Sequence, residues 1–245
     1  MKLFRFPRAM IMALLMPLAM AQGLWAKSRT PRLPEAPGAR EGHAGDGRSR
    51  YLVALGDSII AGVGVETMAQ ALPARLSRAL AAELGCRICW TGHGTNGART
   101  GDLLQLPAGV NWARADVLVV SNGLNDVTGL APLRRWKAET RRLYERLRRL
   151  APGALLVQLG IPPLAHFPAL PQPLRYVMGN RARRFDRELE KLLAPLAGVR
   201  HLPFGGVPDP ELFAEDGYHP GVAAVDAWSR DLARRLAPVL ESRWG

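Results

Sequence analysis

Short apolar runs alternate along this chain with longer stretches in which apolar side chains recur every three or four residues. Continuous apolar runs of about five residues are typical of strands buried on both faces, and the longer spacing is typical of amphipathic helices. The pattern predicts strands at 51–56, 87–91, 115–120, 154–159 and 199–202. It predicts helices at 71–84, 132–150, 174–193 and 220–240.

The regular alternation of strand and helix predicts an α/β fold with three layers. A mainly parallel, five-stranded sheet lies between two layers of helices, and the crossovers are right-handed. In such sheets ligands bind outside the carboxyl ends of the strands. Polar strings that follow different strands are therefore expected to meet at one edge.

Residues 1–26 have the layout of a secretory signal peptide. The segment opens with three basic residues, Lys2, Arg5 and Arg8. An uncharged stretch follows, with cleavage points at Ala19-Met20-Ala21 or Trp25-Ala26. We expect its removal on export, which makes the protein periplasmic or secreted, with no stable membrane span. An uncleaved anchor is the alternative, because 18 uncharged residues are at the lower limit for a span.

Residues 27–50 are rich in Pro, Gly and Arg, with scarcely any large apolar side chain. Such a composition buries little surface, so we expect a disordered leader. The folded domain is then expected to span 51–245. Half of the net charge of +12 falls in residues 1–50, and paired arginines in 132–150 recur at helical spacing, as on a solvated face. The net charge is thus weak evidence for nucleic-acid binding, and we expect no nucleic-acid partner.

Cys86 and Cys89 are the two cysteines of the chain. Export would permit a disulfide between them. If they lie on a strand, however, positions three apart point to opposite faces, which disfavours the bond. We interpret them as two buried apolar thiols.

Three polar strings contain the groups that acyl transfer requires. They are Gly56-Asp57-Ser58, Gly123-Leu124-Asn125-Asp126 and Asp216-Gly217-Tyr218-His219. A serine becomes nucleophilic when an imidazole takes its proton, a carboxylate orients the imidazole, and amide groups stabilise the oxyanion. Each string alone is also an ordinary turn or helix cap. Together they indicate a serine hydrolase with His219 as base and Asp216 as its partner.

These strings resemble the blocks of the SGNH, or GDSL-type, hydrolase family over about residues 52–240. The resemblance implies a flavodoxin-like fold and a carboxylic ester hydrolase of the esterase or lipase type. It implies Ser58 as nucleophile, Asp216 and His219 as acid and base, and Ser58, Gly97 and Asn125 as oxyanion donors. One block departs from the pattern, since Gly92 stands where the family usually has asparagine.

Other kinds of site fit the sequence less well. The letters of G-x-G-x-x-G occur at Gly92, Gly94 and Gly97, but the helix and the acidic residue that a dinucleotide site needs are missing. G-x-S-x-G, S-x-x-K and H-E-x-x-H are absent from the sequence. We therefore expect neither a cofactor nor a metal. His93 lies in the glycine-rich loop, and we expect none of the remaining histidines to have a nearby acid that would make it a better base than His219.

The apolar, proline-rich stretch 161–171 is expected at the same edge of the sheet. Phe167 and Leu170 are its candidates for a substrate pocket. The expected substrate is a small-molecule, lipid or sugar ester, with a lysophospholipase- or thioesterase-like activity among the options. Two alternatives stay open: an envelope polysaccharide O-acetyl esterase or acyltransferase, and a non-catalytic glycan- or lipid-binding module on the same fold.

Overall fold

Six strands form one sheet in the computed structural model, which describes residues 8–206 and 209–244. They are β1 (Glu41–Ala44), β2 (Ser49–Gly56), β3 (Arg87–Gly94), β4 (Val117–Ser121), β5 (Leu155–Leu159) and β6 (Val199–Leu202). Their order across the sheet is β1-β3-β2-β4-β5-β6. Strand β1 is antiparallel to β3, and every other pair is parallel. The predicted α/β class and its five parallel strands are confirmed.

Seven α-helices connect and cover these strands in the described chain. They are α1 (Arg8–Arg29), α2 (Ser58–Ala61), α3 (Leu72–Leu84), α4 (Leu124–Thr128), α5 (Leu133–Leu150), α6 (Leu174–Leu193) and α7 (Val222–Trp244). The four long helices predicted from the apolar spacing correspond to α3, α5, α6 and α7. In α5, for example, Trp136, Leu143 and Leu147 recur at helical spacing and are buried.

The core lies on both faces of the sheet. Val117 and Val119 of β4 pack with α3 and α7, whereas Leu118 and Val120 of the same strand pack with α5 and α6. Adjacent residues of a strand point to opposite faces, so a strand covered on both sides is apolar throughout. The first parallel strand, β2, lies between β3 and β4, which makes its carboxyl end the point where the connections diverge.

The segment preceding β2 differs from the expected disordered leader. Its residues Glu41–Ala44 form β1 and pair with Thr91–Ile88 of β3. Ala36 is buried, and a Cβ at Gly62 would lie 2.7 Å from its side chain. The composition of the segment did not indicate this strand. An edge strand pairs through backbone groups, so it can form without large apolar side chains.

Helix α1, within the predicted signal peptide, lies against the domain. Ala19 and Ala26 are buried, Gln22 Nε2 donates to Gln172 O at 2.7 Å, and Leu174 N donates to Gln22 Oε1 at 3.0 Å. Its outer face exposes Leu14 and Leu24 to more than 70%. In the described part of the chain, no helix is both long enough and apolar enough to span a bilayer. Residues 1–7 of the predicted signal lie outside the described residues.

Cys86 and Cys89 are free thiols, and both are partly exposed rather than buried. Ile88, Trp90 and Gly92 are the buried positions of β3, and Cys89 alternates with them on the opposite face. Burial nevertheless raises the pKa of the Cys86 thiol.

Candidate active site

Strand β2 delivers Ser58 to the carboxyl edge of the sheet. Asp57 caps the short helix α2, its side chain accepting from Ile59 N, and Ser58 is the first helical residue. A side chain at Gly56 or Gly94 would overlap neighbouring backbone, so both glycines are needed for close packing of this turn. The Ser58 N–H belongs to the first helical turn, whose donors have no intrahelical acceptor. It is therefore free for a ligand.

Asp57 is a buried carboxyl group next to Ser58. Its Oδ1 accepts a hydrogen bond from Ser121 Oγ at 2.9 Å. Burial raises the pKa of Asp57 to about 6, although hydrogen bonds from Ser121 and Ile59 partly oppose the shift. This carboxyl group therefore titrates near neutral pH beside the candidate nucleophile.

Asp216 and His219 form a pair on one tight turn. Gly217 has a φ of +61°, which a residue with a side chain rarely adopts. Asp216 Oδ1 accepts from the backbone N–H groups of Tyr218 and His219, each at 2.9 Å, and Asp216 Oδ2 lies 2.6 Å from His219 Nδ1. With the proton on Nδ1, the ring donates to the carboxylate and leaves Nε2 as an acceptor.

The same hydrogen bonds determine the charge of Asp216. Burial raises the pKa of Asp216, but the donors from His219 and Tyr218 outweigh it, so the pKa is lower than usual. The carboxylate therefore stays ionised at neutral pH, as an orienting acid must.

Gly97 and Asn125 lie on the neighbouring connections that follow β3 and β4, and the second of these loops contains the short helix α4 with Asn125. Gly97 is exposed with a φ of +79°, and no atom lies within 4 Å of the position where its Cβ would be. Asn125 Nδ2 donates to Ala98 O at 2.9 Å, which ties the two loops together. An amide NH₂ has two donors, so the second remains available for an oxyanion.

A buried polar cluster fixes these two loops. Asp126 Oδ2 accepts from Thr100 N at 2.9 Å and from Thr100 Oγ1 at 2.8 Å. Thr100 Oγ1 in turn accepts from Asn122 Nδ2 at 2.6 Å and from Trp136 Nε1 at 3.0 Å. We name Thr100, Asn122, Asp126 and Trp136 the Thr100 cluster. Sequence analysis missed it, because nothing in the spacing of these residues predicts that they meet.

The chain before β2 holds the Gly97 loop from the other side. Glu35 Oε1 accepts from Asn96 N at 2.7 Å, and Glu35 Oε2 pairs with Arg40 at 2.6 Å. Arg40 also donates to Gly94 O at 3.1 Å. This contact was not predicted, because the segment was expected to be disordered.

Ser58 and His219 line the same cavity, although 161 positions separate them in the sequence. This cavity, the Ser58 cavity, has a volume of about 380 Å³. Its other walls include Ile59, Leu124, Phe167, Phe213, Ala224 and Trp228. The structure thus brings the predicted nucleophile and base to one space.

A second cavity meets the first at His219. This Gly97 cavity has a volume of about 690 Å³ and is lined by Gly97, Asn125 and Asp216 as well as His219. Its apolar walls include Met20 of α1, Leu170, Leu174 and Met178. Ser58 therefore borders one cavity, the two oxyanion candidates border the other, and His219 borders both.

The two tentative pocket residues fall in different cavities. Phe167 lines the Ser58 cavity, and Leu170 lines the Gly97 cavity. Phe167 packs edge-on against Tyr218 at 5.2 Å between ring centroids, and Tyr218 packs against His219 at 5.2 Å. The Phe167 ring thus supports the turn that holds the base.

Two other histidines have environments that the sequence did not predict. Buried His93 Nε2 has no hydrogen-bond partner, and burial lowers the pKa of His93. His201 Nε2 lies 2.9 Å from Asp186 Oδ1, an acid 15 positions away in the sequence. Within residues 8–206 and 209–244, no three His, Cys, Asp or Glu side chains are grouped as metal ligands.

Comparison with known protein families identifies the family of this chain. Residues 54–227 match the GDSL-like lipase/acylhydrolase family. The chain belongs to this family. The resemblance expected from the sequence is thereby confirmed, and the matched span includes Ser58, Gly97, Asn125, Asp216 and His219.

One curated relative is the GDSL-like esterase Rv1075c of Mycobacterium tuberculosis. It is 30% identical over 184 residues, which cover 71% of this chain and 57% of the relative. The chain therefore spans little more than half of that protein's length.

Solved structures share the fold at low sequence identity. The lipase Lip_vut3 from a goat rumen metagenome superposes with a TM-score of 0.59 at 18% identity, covering 77% of this chain and 97% of that one. A family two carbohydrate esterase from Clostridium thermocellum superposes with a TM-score of 0.57 at 15% identity, covering 78% and 64%.

Proposed function

We propose that this protein is a serine hydrolase that cleaves carboxylic esters through an acyl-enzyme intermediate. The main support is the arrangement at His219. Its Nδ1 lies 2.6 Å from a buried aspartate, and its ring borders the cavity that also contains Ser58. An imidazole oriented by a carboxylate can take the proton of a nearby hydroxyl and so make that hydroxyl nucleophilic without a metal.

In the first half-reaction, Ser58 Oγ attacks the acyl carbon while His219 Nε2 takes its proton. The negative charge on the carbonyl oxygen is stabilised by the N–H groups of Ser58 and Gly97 and by Asn125 Nδ2. The imidazolium, stabilised by Asp216, then gives its proton to the departing alcohol as the carbon–oxygen bond breaks. Ser58 is left as an ester.

In the second half-reaction, His219 takes a proton from water, and the water oxygen attacks the acyl carbon. The bond to Ser58 Oγ breaks, the proton returns to Oγ, and the carboxylic acid leaves. The hydrogen bonds of His219 in the structure run to Asp216 and Ala214. Catalysis therefore requires the ring and the Ser58 hydroxyl to draw together, as often happens when substrate binds.

The proposal is tested with Ser58→Ala and p-nitrophenyl acetate. We expect kcat to fall at least about a thousandfold, because the acyl acceptor is lost. Ser242→Ala, at an exposed serine of α7, is the matched control and should keep full activity. A fluorophosphonate should label the wild type and not Ser58→Ala. Unchanged turnover by Ser58→Ala would refute the mechanism, and a wild type that is neither active nor labelled would favour a non-catalytic binding module.

Removal of acetyl groups from an envelope polysaccharide, or acyl transfer to it, would use the same residues. The Clostridium thermocellum carbohydrate esterase supports that alternative through its similar fold alone. The Ser58 cavity favours an ester with a larger acyl group, because its walls are mostly apolar and an acetyl group would leave most of that apolar surface uncovered.

We also propose export, with residues 1–26 as the signal. The support is the basic start and the uncharged stretch that follows it. Mass spectrometry of the protein secreted by a bacterial host should show loss of about 21 to 26 residues. Full-length protein in the membrane fraction would support the uncleaved anchor, and full-length protein in the cytosol would refute export.

A further inference from the structure

Besides α2 and α4, which carry Ser58 and Leu124, four parts of the chain supply side chains to the walls of the Ser58 cavity. Phe167 follows β5, Phe204 follows β6, Phe213 precedes the His219 turn, and Ala224 and Trp228 belong to the start of α7. Phe167 and Phe213 pack edge-on at 5.0 Å, and Phe204 and Trp228 pack at 5.0 Å. Packing between the rings of each aromatic pair therefore fixes the shape of these walls, and the cavity that they enclose reaches Ser58.

The position of Ser58 distinguishes the two parts of an ester. The acyl group stays bonded to Ser58 Oγ while the alcohol leaves and water enters, so it needs a site next to Ser58 throughout. The Ser58 cavity is the one whose walls include Ser58, whereas the Gly97 cavity is lined by the oxyanion candidates and His219. An alcohol bound there would lie beside the imidazole that protonates it.

We propose that the Ser58 cavity binds the acyl chain of the substrate, that Ala224 limits the length of that chain, and that the protein prefers esters of apolar acyl chains several carbons long. This inference rests on the proposed hydrolase function. Its physical basis is the removal of apolar surface from water. Each methylene buried is worth about 0.8 kcal/mol, which corresponds to a rise of roughly fourfold in kcat/KM until the cavity is full.

The polar groups of the cavity restrict the chain further. Asp209 and Asp231 lie among its walls, and Asp231 Oδ2 pairs with Arg235 at 3.2 Å. Arg235 offsets the charge of Asp231, so an acyl chain that ends in its own carboxylate, such as a succinyl group, would meet like charge at Asp209. The cavity therefore fits a neutral alkyl chain.

The test compares p-nitrophenyl esters from acetate to decanoate on two variants of the cavity and one control. Ala224→Phe fills the cavity and should move the optimum to shorter chains, with the largest loss on decanoate and the smallest on acetate. Trp228→Ala enlarges the cavity and should move the optimum to longer chains. Ala223→Phe places the same ring on the exposed neighbouring position of α7, outside the cavity walls, and should keep the wild-type profile.

The outcomes separate this inference from the proposed function. If Ser58 is labelled and esters are cleaved, but neither Ala224→Phe nor Trp228→Ala changes the profile, the acyl assignment is wrong and the hydrolase stands. A profile that changes with Met178→Ala in the Gly97 cavity instead would place the acyl chain there. A wild type that cleaves no ester and is not labelled would overturn both proposals.

Discussion

Thr100 Oγ1 donates a hydrogen bond to Asp126 Oδ2 at 2.8 Å, and this bond joins the loop that contains Gly97 to the helix that contains Asn125. The same hydroxyl accepts from Asn122 and Trp136, so its hydrogen-bonding capacity is fully used. Thr100 is completely buried. This hydroxyl group therefore acts together with the bond from Asn125 Nδ2 to Ala98 O in positioning the two oxyanion candidates relative to each other.

Thr100→Val should weaken both the fold and catalysis. The substitution keeps the branched shape but leaves Asn122 Nδ2 and Trp136 Nε1 without an acceptor, which should lower the free energy of unfolding by about 2 to 5 kcal/mol. Because the Gly97 loop also loses its anchor, kcat should fall more than KM rises. Urea denaturation and steady-state kinetics measure the two effects.

Two variants test whether the hydroxyl itself positions the loop. Thr100→Ser keeps the hydroxyl and should restore kcat, and Thr95→Val, at an exposed threonine of the same loop, should leave stability and kcat unchanged. Wild-type kcat in a destabilised Thr100→Val would mean that the Thr100 cluster stabilises the fold without positioning the oxyanion donors.

Asn125→Ala should lower kcat by about a hundredfold to a thousandfold with little change in KM. The amide is proposed to donate to the oxyanion, a charge that exists in the transition state and not in the substrate, so its loss affects the chemical step. Asn111→Ala is the matched control, because Asn111 is an exposed asparagine outside the walls of both cavities. An equal fall in the control, or a rise in KM with constant kcat, would contradict a role at the oxyanion.

Asp57 should make stability fall as pH rises through the weakly acid range. Its pKa is about 6 in the folded protein against an ordinary value of 3.8, so between these values the folded state holds a proton that the unfolded chain has released. Stability from this group is therefore present below pH 4 and lost towards pH 6, by roughly 3 kcal/mol.

Asp57→Asn removes this titration while keeping an oxygen for Ser121 and Ile59. The stability of the variant relative to wild type should rise by roughly 3 kcal/mol between pH 4 and pH 7.5 in urea denaturation. Asp46→Asn, at an exposed aspartate, should give a difference that does not depend on pH. A constant difference for Asp57→Asn would show that Asp57 titrates at its ordinary pKa.

The sequence predicted the strands, the long helices and the residues that meet at the sheet edge. It did so because buried strands are apolar throughout, and because parallel strands bring Ser58 and Asn125 to the same edge whatever lies between them. The turn of Asp216 and His219 was predictable for a different reason, since its partners are three residues apart.

Strand β1 and the Thr100 cluster could not be predicted in this way. Strand β1 pairs through backbone groups, and its four residues, Glu-Gly-His-Ala, have no apolar alternation. The Thr100 cluster joins residues from three separate segments by single hydrogen bonds, which leave no periodic trace in the sequence. The division into two cavities likewise depends on tertiary packing of loops after β5 and β6.

Glu35 and Arg40 lie outside the span matched by the family, 54–227, yet they bond to Asn96 and Gly94 beside the candidate active site. A shortened protein that began at residue 54 would lack these hydrogen bonds and also the edge strand β1. The part of the chain that holds the Gly97 loop in shape is therefore longer than the matched span, and it includes residue 35.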